Sequence, residues 1–187
     1  MSIFDKLKKN IETTVKETAA DIFANEETFT FSALPESLAE MKALPEAELK
    51  SPFQTAALTV CALCVYAADT TIGTEMLNFL RGPRPLSNYE ISFLNDRFRD
   101  GHHVPFSYFR GATPANDYSP EEPFRITVEA GPYSDANKGY KKLYIRSGGA
   151  DNPREVVLRK LGDGRWMLWD QFLLVSIRDP KSKDPWA

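Results

Sequence analysis

The sequence predicts an α+β fold with N-terminal helices packed on a C-terminal antiparallel sheet. Helix-period apolar stripes fill the chain as far as Arg99. After Gly101, Pro, Gly, aromatic and β-branched residues replace the helix formers. The Gly162-Asp163-Gly164 connector joins two β-rich runs, which is a hairpin signal. Helices first and consecutive strands last favour an antiparallel sheet covered on one side.

Ile3, Leu7, Ile11, Val15, Ala19 and Ile22 recur every three to four residues, so residues 1–25 read as an amphipathic helix. Lys6, Lys8, Lys9, Glu12, Lys16 and Glu17 take its other face. Such a helix can pack on the domain, pair with another chain or lie on an acidic membrane surface. Glu27 to Ser32 alternates and suits a short strand, and Pro35 to Leu44 reads as a short helix. Leu34-Pro35 and Leu44-Pro45 each suit the start of a helical turn, where the missing proline donor has no partner to lose. Phe53 to Ala68 is apolar on nearly every side and belongs at the centre. Asp69-Thr70-Thr71 breaks and caps, Gly73 to Leu80 continues as a helix, and Gly82-Pro83 ends it. Ser87 caps a further helix from about Asn88 to Arg99.

Val104 to Arg110 suits a strand, and Gly111 to Pro123 a long loop. Phe124 to Glu129 alternates with Phe124, Ile126 and Val128 inward, and Leu143 to Arg146 and Glu155 to Leu161 add two strands. Arg165 to Trp169 follows the hairpin turn, and Phe172 to Ile177 either extends that strand through a bulge or forms another. Residues 26–187 therefore read as a single α+β domain behind the N-terminal helix. A cone-shaped fold like that of the nuclear-transport-factor superfamily suits the same order.

The chain has 187 residues, 42% of them hydrophobic and 26% charged, which is ordinary globular usage. Up to Phe98 there are 9 basic against 14 acidic residues, and 14 against 12 from Arg99 onward. Nucleic-acid binding needs a more concentrated basic surface. The longest apolar run, Ala56 to Ala68, has 13 residues, short of the roughly 20 that cross a bilayer. No signal-peptide pattern follows the basic start. Cys61 and Cys64 lie inside that run and behave as small hydrophobes rather than a redox pair. The expected location is a reducing cytoplasm.

The short motifs carry little chemistry. Ser147-Gly-Gly-Ala-Asp-Asn-Pro-Arg154 has the glycines of an anion loop, but a strand follows where a phosphate loop needs a helix. A hairpin connection explains its composition. His102 and His103 are the only histidines, so no catalytic triad or zinc ligand set can be assembled around them. No cofactor fingerprint and no metal site is expected. The remaining constellation is arginine, whose fork suits carboxylates and phosphates. If the loops at 81–85, 108–114 and 147–154 converge, Arg81, Arg84, Tyr108, Arg110, Arg146 and Arg154 make a pocket for a small anionic ligand. Otherwise each arginine pairs with an acid or caps carbonyls.

Four strings occur in order: Glu75-Met-Leu-Asn-Phe-Leu-Arg-Gly-Pro-Arg-Pro-Leu86, Pro105-Phe-Ser-Tyr-Phe-Arg-Gly-Ala-Thr-Pro114, Ser147-Gly-Gly-Ala-Asp-Asn-Pro-Arg154 and Asp184-Pro-Trp-Ala187. On these strings the chain, from roughly Phe29 onward, resembles a bacterial family known only as a domain of unknown function. The resemblance implies a bacterial origin and brings no activity, cofactor or catalytic residue. The expectation is a non-catalytic ligand- or protein-binding module, able to self-associate through the N-terminal helix or an exposed sheet edge. The alternatives are an enzyme with an arginine and carboxylate pocket acting on an anionic small molecule, and peripheral membrane association through the N-terminal helix.

Overall fold

The computed structural model describes residues 25–186. The helix expected over residues 1–25 lies, apart from Asn25, outside them. Five antiparallel strands run in chain order across one sheet: β1 (Glu26–Phe31), β2 (Phe124–Ala130), β3 (Tyr140–Ile145), β4 (Arg154–Lys160) and β5 (Trp166–Gln171). Four helices separate β1 from β2: α1 (Leu38–Ala43), α2 (Pro52–Ala68), α3 (Thr70–Arg81) and α4 (Asn88–Phe98). The class is α+β. The sheet is not wholly C-terminal, because β1 crosses the helical half to pair with β2 from Glu26↔Glu129 to Phe31↔Phe124.

The apolar α2 sits at the centre and touches all five strands. Its two buried threonines are satisfied internally: Thr55 Oγ1 donates to the Trp166 carbonyl at 2.7 Å and Thr59 Oγ1 to the Thr55 carbonyl at 2.7 Å. Ser51 and Gln54 close a capping box at its start. Asp69 caps α3 by accepting from the amides of Thr71 and Ile72 at 2.9 and 3.0 Å. Tyr66 ties α2 to α4 through a 2.7 Å hydrogen bond to Asn95 Oδ1. Both cysteines are buried and free, and burial pushes their thiols well above the usual range. Among the described residues no helix is long and apolar enough to cross a membrane.

Three local expectations fail. Val104–Tyr108 is a 3-10 turn rather than a strand: Pro105 brings no ladder donor, Ser107 Oγ donates back to the Val104 carbonyl at 2.6 Å, and successive amides close short local bonds. Phe172 to Ile177 is no strand either. After one ladder bond from the Phe172 amide to the Glu155 carbonyl, the chain turns away, and Ser176 takes a φ of 55°. The hairpin does carry a bulge, on β5: Val157 pairs with Asp170 and Leu158 with Leu168, so Trp169 is the extra residue and the strand continues through it only as far as Gln171. Pro45 does open a 3-10 turn, but Pro35 precedes α1, which Ser37 caps instead.

The Arg81 and Glu90 pair joins the end of α3 to α4 at 2.6 Å, with the arginine side chain only 4% exposed. Burial lowers the arginine's pKa, opposed chiefly by Glu90. Glu90 is itself partly desolvated, which favours its neutral acid, but the Ser87 amide and hydroxyl, with the two guanidiniums of Arg81 and Arg84, outweigh this and hold its pKa down. A lowered folded-state pKa contributes stability that is complete at neutral pH and is lost as pH falls through and below the ordinary carboxylate value. Urea unfolding of Glu90→Gln should therefore show a weaker loss of stability between pH 7 and acid than the parent protein, together with a lower stability at pH 7.

Candidate functional site

Strands β2 and β3 pair only over Val128–Ala130, so the first half of β2 is open on that side. The loop after α4 fills part of the opening: the Arg110 amide donates to the Arg125 carbonyl at 2.8 Å, and the Glu121 amide to the Arg110 carbonyl at 2.9 Å. The turn after β3 closes the end. Gly148 N–H donates to the Ser107 carbonyl at 2.8 Å, the Ser147 and Ser107 hydroxyls meet at 2.7 Å, and Gly149 N–H reaches Ser147 Oγ at 3.0 Å. The two bonds of the Ser147 hydroxyl are buried, so they exchange with water poorly, and with the Gly148 bond they fix the two loops together.

A cavity of about 570 Å³ lies between this loop pair and the face of β1 and β2 turned away from the helices. It falls within the range of about 300–1,000 Å³ usual for small-molecule sites. Its floor carries the outward residues of the register, among them the Thr28 and Thr127 hydroxyls at 2.8 Å from each other. Three guanidiniums line it, Arg110, Arg125 and Arg146, against two carboxylates, Glu26 and Glu129. Arg146 is held by Glu129 in a two-pronged bond of 2.7 and 3.2 Å, and that bond raises its pKa. Arg110 has only a long 3.6 Å ion pair with Glu121, and both side chains are more than 60% exposed. Arg125 has no ion pair among the described residues. The cavity is thus lined by one guanidinium committed to a carboxylate and two without a close one, a group type suited to planar or tetrahedral oxyanions.

Of the residues singled out from sequence, Tyr108, Arg110 and Arg146 line this cavity. Tyr108 is structural, since its buried hydroxyl donates to the Leu173 carbonyl and burial pushes its pKa well up. The other three lie elsewhere. Arg81 and Arg84 meet at Glu90, and Arg84 also covers the Trp169 ring at 4.2 Å and donates to its carbonyl at 2.8 Å. Arg154 donates to the carbonyls of Asn152, Val175 and Ser176, each at 2.8 Å, and so fastens the segment after β5. Two of the three loops meet and the third does not. Arg125, Thr127 and Glu129 escaped the sequence reading because they fell inside a recognised strand. The available signal was their alternation with Ile126 and Val128, which puts them together on the uncovered face.

The glycines of the 147–154 loop have a packing explanation. A Cβ on Gly148 would stand 1.9 Å from the Ala112 carbonyl oxygen, and one on Gly149 2.1 Å from the Tyr118 hydroxyl. Behind the loop His103 stacks on Tyr118 at 5.1 Å, its Nε2 buried without a partner, and burial lowers its pKa. Among the described residues no group of His, Cys, Asp and Glu could hold a metal ion.

The family model described as "Domain of unknown function (DUF6935)" matches residues 33–181. The chain belongs to this family. The matched span contains the 107–113 loop, β2 and the 146–149 turn, so every wall of the cavity except β1 is part of the family domain. It starts slightly later than the resemblance read from the strings, and it stops short of Asp184-Pro-Trp-Ala187. No curated protein and no solved structure matches the chain, so the cone-shaped alternative draws no support from comparison.

Proposed function

We propose that this member of the family is a non-catalytic binding module of a bacterial cytoplasm that takes a small ligand bearing a carboxylate or phosphate group. The ligand lies in the cavity between the 107–113 loop and the uncovered face of β1 and β2. One observation carries the reading: guanidiniums from three separate chain segments line one cavity, and only Arg146 is firmly neutralised. Two Arg forks converging on one anion supply affinity and orientation together. Binding rather than catalysis is favoured because the described lining has no His, Cys or Lys, and its Ser107 and Ser147 hydroxyls are spent on each other and on the Val104 carbonyl.

Isothermal titration with inorganic pyrophosphate and, separately, succinate tests this and distinguishes the two ligand chemistries. Removing a charged hydrogen-bonding partner costs about 1.5–3 kcal/mol, so Arg125→Ala should weaken the better probe by roughly ten- to a hundredfold. Arg99→Ala, at an exposed surface ion pair with Asp96, should leave it unchanged. Equal weakening by both variants, or no binding of either probe, contradicts the reading.

A further inference from the structure

A second cavity, of about 660 Å³, lies between the 131–139 turn and the outer face of β3, β4 and β5, and it shares no lining residue with the arginine site. Its size again suits a small molecule. The turn is fastened to β3. The Lys142 amide donates to the Ser134 carbonyl at 2.9 Å, the Gly131 amide to Ser134 Oγ at 2.8 Å, and Lys141 Nζ to both Asp135 carboxylate oxygens at 2.6 and 2.8 Å. Leu143, Val156 and Leu158 are buried toward the helices, which leaves Tyr140, Lys142, Glu155 and Val157 on the opposite side of the sheet. The bulge completes this floor, because it sets Trp169 and Asp170 together opposite Val157, an indole and a carboxylate side by side.

Four aromatic rings line the cavity: Tyr133, Tyr140, Trp169 and Phe172. Tyr140 and Trp169 meet edge to face at 5.5 Å, and the Arg159 guanidinium lies over both rings, at 5.3 and 4.7 Å. Tyr133 and Phe172 are 76% and 46% exposed. Rings held in place offer contact area at low entropic cost, and exposed aromatics gathered around one hollow mark a contact surface. The charges among them cancel, Lys138 and Lys142 against Glu155 and Asp170, so the cavity selects neither an anion nor a cation. Lys142 Nζ and Glu155 Oε2 stand 3.1 Å apart, and both side chains are partly exposed. They present a donor beside an acceptor, which complements neighbouring hydroxyls that each donate and accept. Apolar ring faces, vicinal hydroxyls and no net charge are together the chemistry of a sugar.

We infer that this cavity is a site for a neutral mono- or disaccharide, stacked against Tyr133 and Phe172 with vicinal hydroxyls on Lys142 and Glu155. The test follows the Trp169 indole N–H by NMR in the full chain during separate titrations with maltose, cellobiose, lactose and diacetylchitobiose. At least one sugar should shift Trp169 saturably, with the indole of Trp186, which lines neither cavity, unmoved. Tyr133→Ala, at an exposed ring, should weaken that sugar about fivefold. Glu155→Gln, which keeps the shape and removes the charged acceptor, should weaken it roughly tenfold or more. Trp186→Ala should leave its affinity unchanged. Adenine, which has a flat face but no hydroxyls, should bind more weakly than the sugar. No saturable Trp169 shift with any of these sugars overturns the proposal. So does tighter binding of adenine, or sugar binding that neither Tyr133→Ala nor Glu155→Gln weakens.

Discussion

Gly73→Ala is expected to destabilise the protein by about 2 kcal/mol or more, read as a lower urea midpoint at unchanged slope. Helix propensity alone gives the opposite sign, because alanine in a helix interior is favoured over glycine by about 1 kcal/mol. What reverses it is the crossing of α2 and α3. A Cβ at Gly73 would stand 2.3 Å from Tyr66 Cα and 2.6 Å from its amide nitrogen, and backbone cannot swing aside as a side-chain tip can. One helix must move. Either movement strains the Tyr66 hydrogen bond to Asn95 and the fully buried contacts of Leu63, Met76 and Leu80. Gly162→Ala is the control, since a Cβ there meets nothing within 4 Å, and it should be close to neutral.

Gly148→Ala should damage the cavity as well as the fold. The added Cβ would lie 1.9 Å from the Ala112 carbonyl oxygen and 3.4 Å from Thr113 Cα, so the 107–113 loop and the turn after β3 must separate. Separation breaks the Gly148 to Ser107 amide bond and leaves the paired Ser147 and Ser107 hydroxyls buried and mismatched. Stranding buried polar groups costs about 1–3 kcal/mol each. A lower urea midpoint is expected together with weakened binding of the better oxyanion probe, because Arg110 and Arg146 are carried on the two parts that move apart. Lost stability with unaltered binding would mean that these loops do not shape the site.

Much of the fold was legible in local pattern. The central helix showed itself by being apolar on nearly every side, and Asp69 and Ser87 cap as read from the sequence. The Gly162-Asp163-Gly164 hairpin needed only adjacent residues. What stayed hidden depended on distant partners. Pairing of β1 with β2 joins residues about a hundred positions apart, and nothing in Glu26 to Phe31 names its neighbour. The segment around Pro105 has β-like composition, but its backbone bonds are local. Among the arginines, sequence could select the residue type but not the partners. Arg81, Arg84 and Arg154 are consumed by Glu90, Trp169 and three carbonyls, while Arg125 lines the cavity on the part of β2 that β3 does not pair.

We propose that the cavity over β1 and β2 receives an oxyanion on Arg110, Arg125 and Arg146. Arginine Nε–Hε NMR resonances recorded during titration with inorganic pyrophosphate and then succinate test it most directly. The prediction for the better probe is saturable shifts at Arg110, Arg125 and Arg146, with Arg84 and Arg154 unmoved. Shifts confined to Arg84, Arg154 or other arginines, or none that saturate with either probe, would contradict it.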